Sequence, residues 1–188
     1  NTAWSLKHKL MQVMLEREGK KQLSGRIEVD DAYWGGERSG GKRGRGAPAK
    51  TPFLAAVETT MDGEPVRMKL NKVAGFRKQV ISRWSQSQID TDSFILSDGL
   101  SSFNAFAEEG YINLPIKTEP GKKGVQHPAF RWVNTMLGNI KTAMAGTYHS
   151  LNGKHLPRYL ASFQYRFNRR FDLDAMMPRL LYVAVRTP

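Results

Sequence analysis

The chain has 188 residues, 40% hydrophobic and 10% aromatic, enough to fill the core of one domain. Lys and Arg number 29 against 17 Asp and Glu, a formal net charge of +12 that points to a polyanionic partner, nucleic acid first. No apolar run approaches the roughly 20 residues that cross a bilayer and no secretory leader opens the chain, so a cytoplasmic protein without a membrane partner is expected.

Residues 2–18 put Trp4, Leu6, Leu10, Val13, Met14 and Leu15 on a broad helical stripe ended by Gly19. The run RIEVDDAYW then alternates, with Ile27 and Val29 on one face and Glu28 and Asp30 on the other, as a strand does. Between Gly35 and Lys50 nothing apolar exceeds alanine or proline, which predicts a mobile basic loop. TPFLAAVETT and EPVRMKLNKV read as two strands joined at Asp62-Gly63, a hairpin signal. A helix over Gly75–Gln88 follows, and SFILSDG is a short buried strand ending in Asp98 and Gly99.

Residues 101–109 suggest a short helix, YINLPIK a strand, and TEPGKKGVQHP a polar loop close to Lys117, Lys122 and Lys123. Helical spacing returns at Phe130–Ala145 and Leu156–Arg169, and Met176–Val185 reads as a last helix whose start is set by Pro178. Trp4, Trp84, Phe163, Tyr165, Phe167 and Phe171 are assigned to the core. Trp34 is assigned to packing, with stacking on a DNA base as the alternative.

The chemistry-bearing pattern is Asp30 in an early strand and Asp98 at the end of a later one. Adjacent strands would bring both carboxylates to one sheet edge, a site for a hard cation. With no cysteine in the chain, metal ligands must be oxygen or imidazole. The competing reading leaves Asp30 solvated and makes Asp98 the opening residue of a turn. Asp31 should point to the opposite strand face. Glu58 and Glu119 are spare carboxylates, and His149 and His155 could orient water or phosphate.

IEVDDAYWGG, ILSDG and the long stretch WVNTMLGNIKTAMAGTYH…KHLPRYLASFQYRFNRR resemble the ISXO2-like transposases of the IS1595 insertion-sequence family over nearly the whole chain. The resemblance implies an α/β, ribonuclease-H-like fold with a mixed five-stranded sheet flanked by helices. It implies a leading helix at 1–25, a catalytic domain at 26–188, and a DDE-type site using Mg²⁺ or Mn²⁺, two ions in all. The first acid falls on Asp30 and the second on Asp98. The catalytic-helix lysine falls on Lys141, and the position seven residues earlier, usually glutamate, is Asn134, which makes this a DDNK variant. Residues seven apart share one helix face, whereas the competing Asn139 points about 140° away from Asn134.

The implied partner is double-stranded DNA, both transposon ends and target, bound by a homo-oligomer of a bacterial, nucleoid-associated protein with further sequence before Asn1. Candidate DNA contacts are Arg38, Lys42, Arg43, Arg45 and Lys50 in the glycine-rich loop, with Lys122, Lys123, His149, Arg166, Arg169 and Arg170 beyond it. The alternatives are an inactive, domesticated DNA-binding protein of the same fold and a ribonuclease-H-like nuclease without strand transfer.

Overall fold

The computed structural model describes residues 2–35, 50–117, 127–147 and 151–186. In chain order the elements are α1 (Thr2–Glu18), β1 (Arg26–Trp34), β2 (Thr51–Thr59), β3 (Pro65–Lys72), α2 (Lys78–Gln88), β4 (Phe94–Asp98), α3 (Ala105–Glu108), β5 (Ile112–Ile116), α4 (Arg131–Thr147), α5 (Leu156–Phe167) and α6 (Leu173–Ala184). The strands form one mixed sheet in the order β3-β2-β1-β4-β5. β1, β2 and β3 are antiparallel neighbours, and β4 and β5 run parallel to β1. This is the ribonuclease-H-like arrangement expected from the sequence, with helices on both faces of the sheet.

Alternation along the strands sorts the core into two layers. Ile27, Val29, Leu54, Ala56 and Ile95 face Ile81 and Trp84 of α2 and the aromatic pair Phe103 and Phe106. Ala32, Phe53, Ala55, Val57 and Leu96 face Val133, Met136, Leu137 and Ile140 of α4 and Leu156, Tyr159 and Leu160 of α5. The hairpin expected at Asp62-Gly63 forms between β2 and β3: Gly63 has φ +86° and its N–H donates to the Thr60 carbonyl at 3.0 Å. That left-handed backbone is one glycine adopts without steric cost.

β3 lies at the sheet edge, where unpaired strand groups invite misassociation. Here α5 covers them. Gln164 accepts from the Leu70 N–H at 2.9 Å, and Asn168 both accepts from the Met68 N–H (2.8 Å) and donates to the Met68 carbonyl (3.1 Å). Gln164 also donates to the Glu18 carboxylate at 3.0 Å, tying α1 to the same edge. Gln164→Ala should therefore destabilise the fold by about 1–3 kcal/mol, because it strands the Leu70 N–H, while Glu18 keeps Asn168 as a donor at 2.7 Å. Urea unfolding checks this, and an unchanged midpoint would remove the role assigned to the amide.

Three sequence expectations are corrected. α6 begins at Leu173, so Pro178 lies inside it rather than at its start; packing of Leu180, Met176 and Val183 beside Val13 and Tyr165 outweighs the backbone bond that proline forfeits. Trp4 is 55% exposed, lying against His8 and under the Lys7 ammonium. Phe171 is 85% exposed in the turn after α5, with the Arg170 guanidinium over its ring. Trp34 packs against the α4-side core, as expected.

Candidate active site

β1 and β4 pair in parallel from Arg26–Phe94 to Val29–Ser97. The next residue of each strand is an aspartate, so the register itself sets Asp30 and Asp98 side by side at the carboxyl end of the pair. β4 stops there: Asp98 accepts the Leu100 N–H at 3.0 Å and opens a turn. β1 continues to Trp34 with only β2 beside it.

That open flank explains a departure from simple alternation. Asp31 should face away from Asp30, yet one carboxylate oxygen from each of Asp30, Asp31 and Asp98 lies within 4.8 Å of the others. With no strand among the described residues on the β4 side of β1 beyond Val29, there is room for the Asp31 side chain to approach. Its N–H also donates to the Asp30 carboxylate at 2.8 Å.

Burial pushes the Asp30 carboxyl up to about 7, with the like charges of Asp31 and then Asp98 adding to the rise. The Asp31 N–H and the Lys141 ammonium pull it back down. A cluster of oxygens this close, whose mutual repulsion disfavours ionisation, matches the donor set of a hard divalent cation.

The third element is α4, anchored by a residue that sequence reading left without a role. Glu28, buried on the same face of β1 as Asp30, accepts the N–H groups of both Trp132 (2.9 Å) and Val133 (3.0 Å). These are among the orphan donors of a helix N-terminus, where a carboxylate also complements the helix dipole. The other Glu28 oxygen pairs with Arg26 at 3.1 Å. Alternation placed Glu28 beside Asp30; nothing local could reveal a partner more than 100 residues away.

From that anchor α4 runs across β1 and β2. Asn134 is half-buried, while Asn139 and Lys141 are exposed. Lys141 shares its helix face with Asn134, and its charge is felt at Asp30. Asn139 lies about 140° round the helix from Asn134.

Lys117 is a further cation here. It follows Ile116, the β5 partner of Asp98. A methyl group on Gly99 would stand 3.2 Å from Lys117 Cγ, so the glycine after Asp98 leaves the lysine stem its place.

The remaining candidates are dispersed. Arg38, Lys42, Arg43, Arg45, Lys122, Lys123, His149 and Glu119 lie outside the described residues. Lys50 is half-buried just before β2 and Arg166 is exposed on α5. Arg169 and Arg170 are engaged within the fold: Arg169 pairs with Glu18, and Arg170 donates to the Pro65 and Val66 carbonyls while stacking on Phe167. Glu58 is held by Arg67 at 3.1 Å and by the Ser24 N–H at 3.0 Å, three residues along β2 from the Asp30 partner Ala55. His155 lies edge-on to His8 with ring centres 5.3 Å apart, in the α1 contact.

No described helix is long and apolar enough to cross a membrane. Among solved structures, the catalytic core domain of BIV integrase is similar at 13% identity and a TM-score of 0.42, covering 73% of this chain and 80% of that one. The Mos1 mariner transposase, solved as a paired-end complex with Mn, is similar at 10% identity and a TM-score of 0.32. That match covers 87% of this chain and 60% of that one. No curated protein matches. The profile of the ISXO2-like transposase domain matches residues 22–168, the span that contains both aspartates, Asn134 and Lys141, and the chain belongs to that family.

Proposed function

We propose that this domain cuts and joins DNA at the ends of a mobile element, with Asp30, Asp98 and Asn134 as metal ligands and Lys141 on a substrate phosphate. The observation that carries the reading is the meeting of three carboxylate oxygens within 4.8 Å at the end of the β1–β4 pair, with the Lys141 charge felt at Asp30.

A bound Mg²⁺ or Mn²⁺, as a pair in the two-ion arrangement, supplies charge neutralisation at the scissile phosphate and activation of the attacking oxygen. The protein supplies position. Asp30 and Asp98 stand on neighbouring strands, so their separation is set by the ladder rather than by a loop. Lys141 projects from a helix fixed to the same strand through Glu28, and Lys117 follows the β5 partner of Asp98. Water attacks the phosphodiester at the transposon end and breaks the P–O3′ bond, releasing a 3′-hydroxyl. That hydroxyl then attacks a target phosphodiester, forming one P–O bond as another breaks. No covalent bond to the protein is needed, and catalysis is positioning plus charge neutralisation. A homo-oligomer would hold two ends and the target together.

Asn134 brings an amide oxygen where a third acid would bring charge, so the site holds metal more weakly and leans on substrate phosphates. The position of Asp31 favours a second reading, in which that neighbouring acid supplies the missing negative charge. Asn134→Ala, Asn139→Ala and Asp31→Asn separate these readings. Cleavage should fall about 10–100-fold in Asn134→Ala, the range seen when a group supporting a metal site is lost, and stay near the parent level in Asn139→Ala. A raised Mg²⁺ requirement in Asp31→Asn alone would transfer the role to Asp31.

A further inference from the structure

A second charged feature lies at the other edge of the sheet, two strands away from Asp30. There a cavity of about 280 Å³ opens between the end of α1, the outer side of β3 and the chain after α5. Six cations line it: Arg17, Lys21, Arg67, Lys69, Arg169 and Arg179. Only two carboxylates, Glu18 and Asp172, share the lining.

The ion pairs formed do not use up this charge. Arg169 pairs with Glu18, Arg179 with Asp172 at 2.5 Å, and Arg67 with Glu58 at 3.1 Å. Among the described residues Lys69 donates to the backbone carbonyl of Glu18 and to no carboxylate. Arg17 buries its Nε with no hydrogen-bond acceptor among the described residues, although a buried guanidinium N–H normally has one. Burial pushes the Lys69 ammonium down to about 8, against the pull of Glu18 and with Arg67 adding to the push. A cavity that holds cations so poorly matched is short of an anion.

We propose that this cavity is a phosphoryl-binding site, separate from the acidic cluster and filled by a phosphate of a nucleic-acid backbone. A phosphate offers several acceptor oxygens to guanidinium forks, which Arg17 and Arg169 present. The exposed ring of Phe171 at the rim adds a surface on which a base can stack, which favours a nucleic acid over a free phosphate ion. The role would be to hold DNA at a second point, so that a strand leaving the acids is gripped again at the far edge of the sheet. This rests on the DNA reading of the acidic cluster, and the test separates the two.

Two variants, Lys21→Gln at an exposed position and Arg17→Gln, are compared with the parent and with Asp30→Ala. Inorganic phosphate, titrated against chloride at matched ionic strength, should raise the melting temperature of the parent saturably, with the rise lost in both cavity variants. Duplex DNA, titrated in metal-free buffer at several salt concentrations, should show a log–log salt slope shallower by about 1 in each cavity variant, the signature of one lost phosphate contact. Asp30→Ala should keep both responses while losing cleavage, so failure of the catalytic reading is seen separately. A phosphate response that vanishes in the variants without any change of salt slope would reassign the cavity to free phosphate and overturn the nucleic-acid proposal. Parent-like behaviour of both variants in both titrations would overturn it altogether.

Discussion

Alanine at Asp30 or at Asp98 should lower metal-dependent strand cleavage by on the order of 10³-fold or more, the scale on which charge-stabilising groups act in phosphoryl and acyl transfer. Duplex binding should be largely retained. The two effects separate because binding draws on phosphate contacts spread over a basic surface, whereas cleavage needs negative ligands at the one place where the β1–β4 pairing ends. Both aspartates are only partly buried and stand where the β1–β4 pairing ends, so neither substitution opens a void in either core layer. Asp98→Ala does remove the acceptor of the Leu100 N–H. Asp98→Asn, which keeps an acceptor there, controls for that loss and should be equally inactive. Undiminished cleavage by either alanine variant would remove the acids from the chemistry.

The second large effect is on stability and runs opposite to the usual acid sensitivity of proteins. Asp30 has an ordinary value of 3.8 and is raised to about 7 in the fold, first by burial and then by Asp31 and Asp98. Between those two values the native state holds a proton that the unfolded chain has released, so stability falls as pH climbs from about 4 to about 7. The span sets a ceiling on the order of 4 kcal/mol. Asp30→Asn carries no charge to bury, so it should lose most of this slope and be more stable than the parent at pH 8 without divalent ions. Urea midpoints at pH 5 and pH 8 for the two proteins decide the matter; equal slopes would contradict the assignment. Added Mg²⁺ should stabilise the parent more at pH 8 than at pH 5, since the proton must leave before the carboxylate can bind metal, and should do little for Asp30→Asn.

How far the sequence could be read depended on whether a residue's partner was local. The alternation of RIEVDDAYW and the apolar run ending in Asp98 carry their own period, and the Asp62-Gly63 turn its own backbone demand. These elements lie where the sequence places them. Asn134 and Lys141 on one helix face follow from seven-residue spacing alone. The approach of Asp31 did not, because it depends on β4 ending one residue past Ser97 while β1 runs on. The partners of Arg169 and Arg170 within the fold were not legible either, because Glu18, Pro65 and Val66 are more than 100 residues away along the chain. Pro178 looked like a helix start because its missing N–H is easiest to accommodate there, and the apolar contacts of α6 proved the stronger influence.

The grip of Glu28 on the first turn of α4 has a consequence for how such a site can diverge. Asp30 and Asn134 are far apart in sequence, and their spacing would ordinarily depend on every connection between them. Because one carboxylate on β1 seats the helix directly, that spacing is referenced to the strand, and insertions or deletions between β5 and α4 need not disturb it. Selection can then lengthen, shorten or recharge that connection while the distance between Asp30 and Asn134 is inherited unchanged.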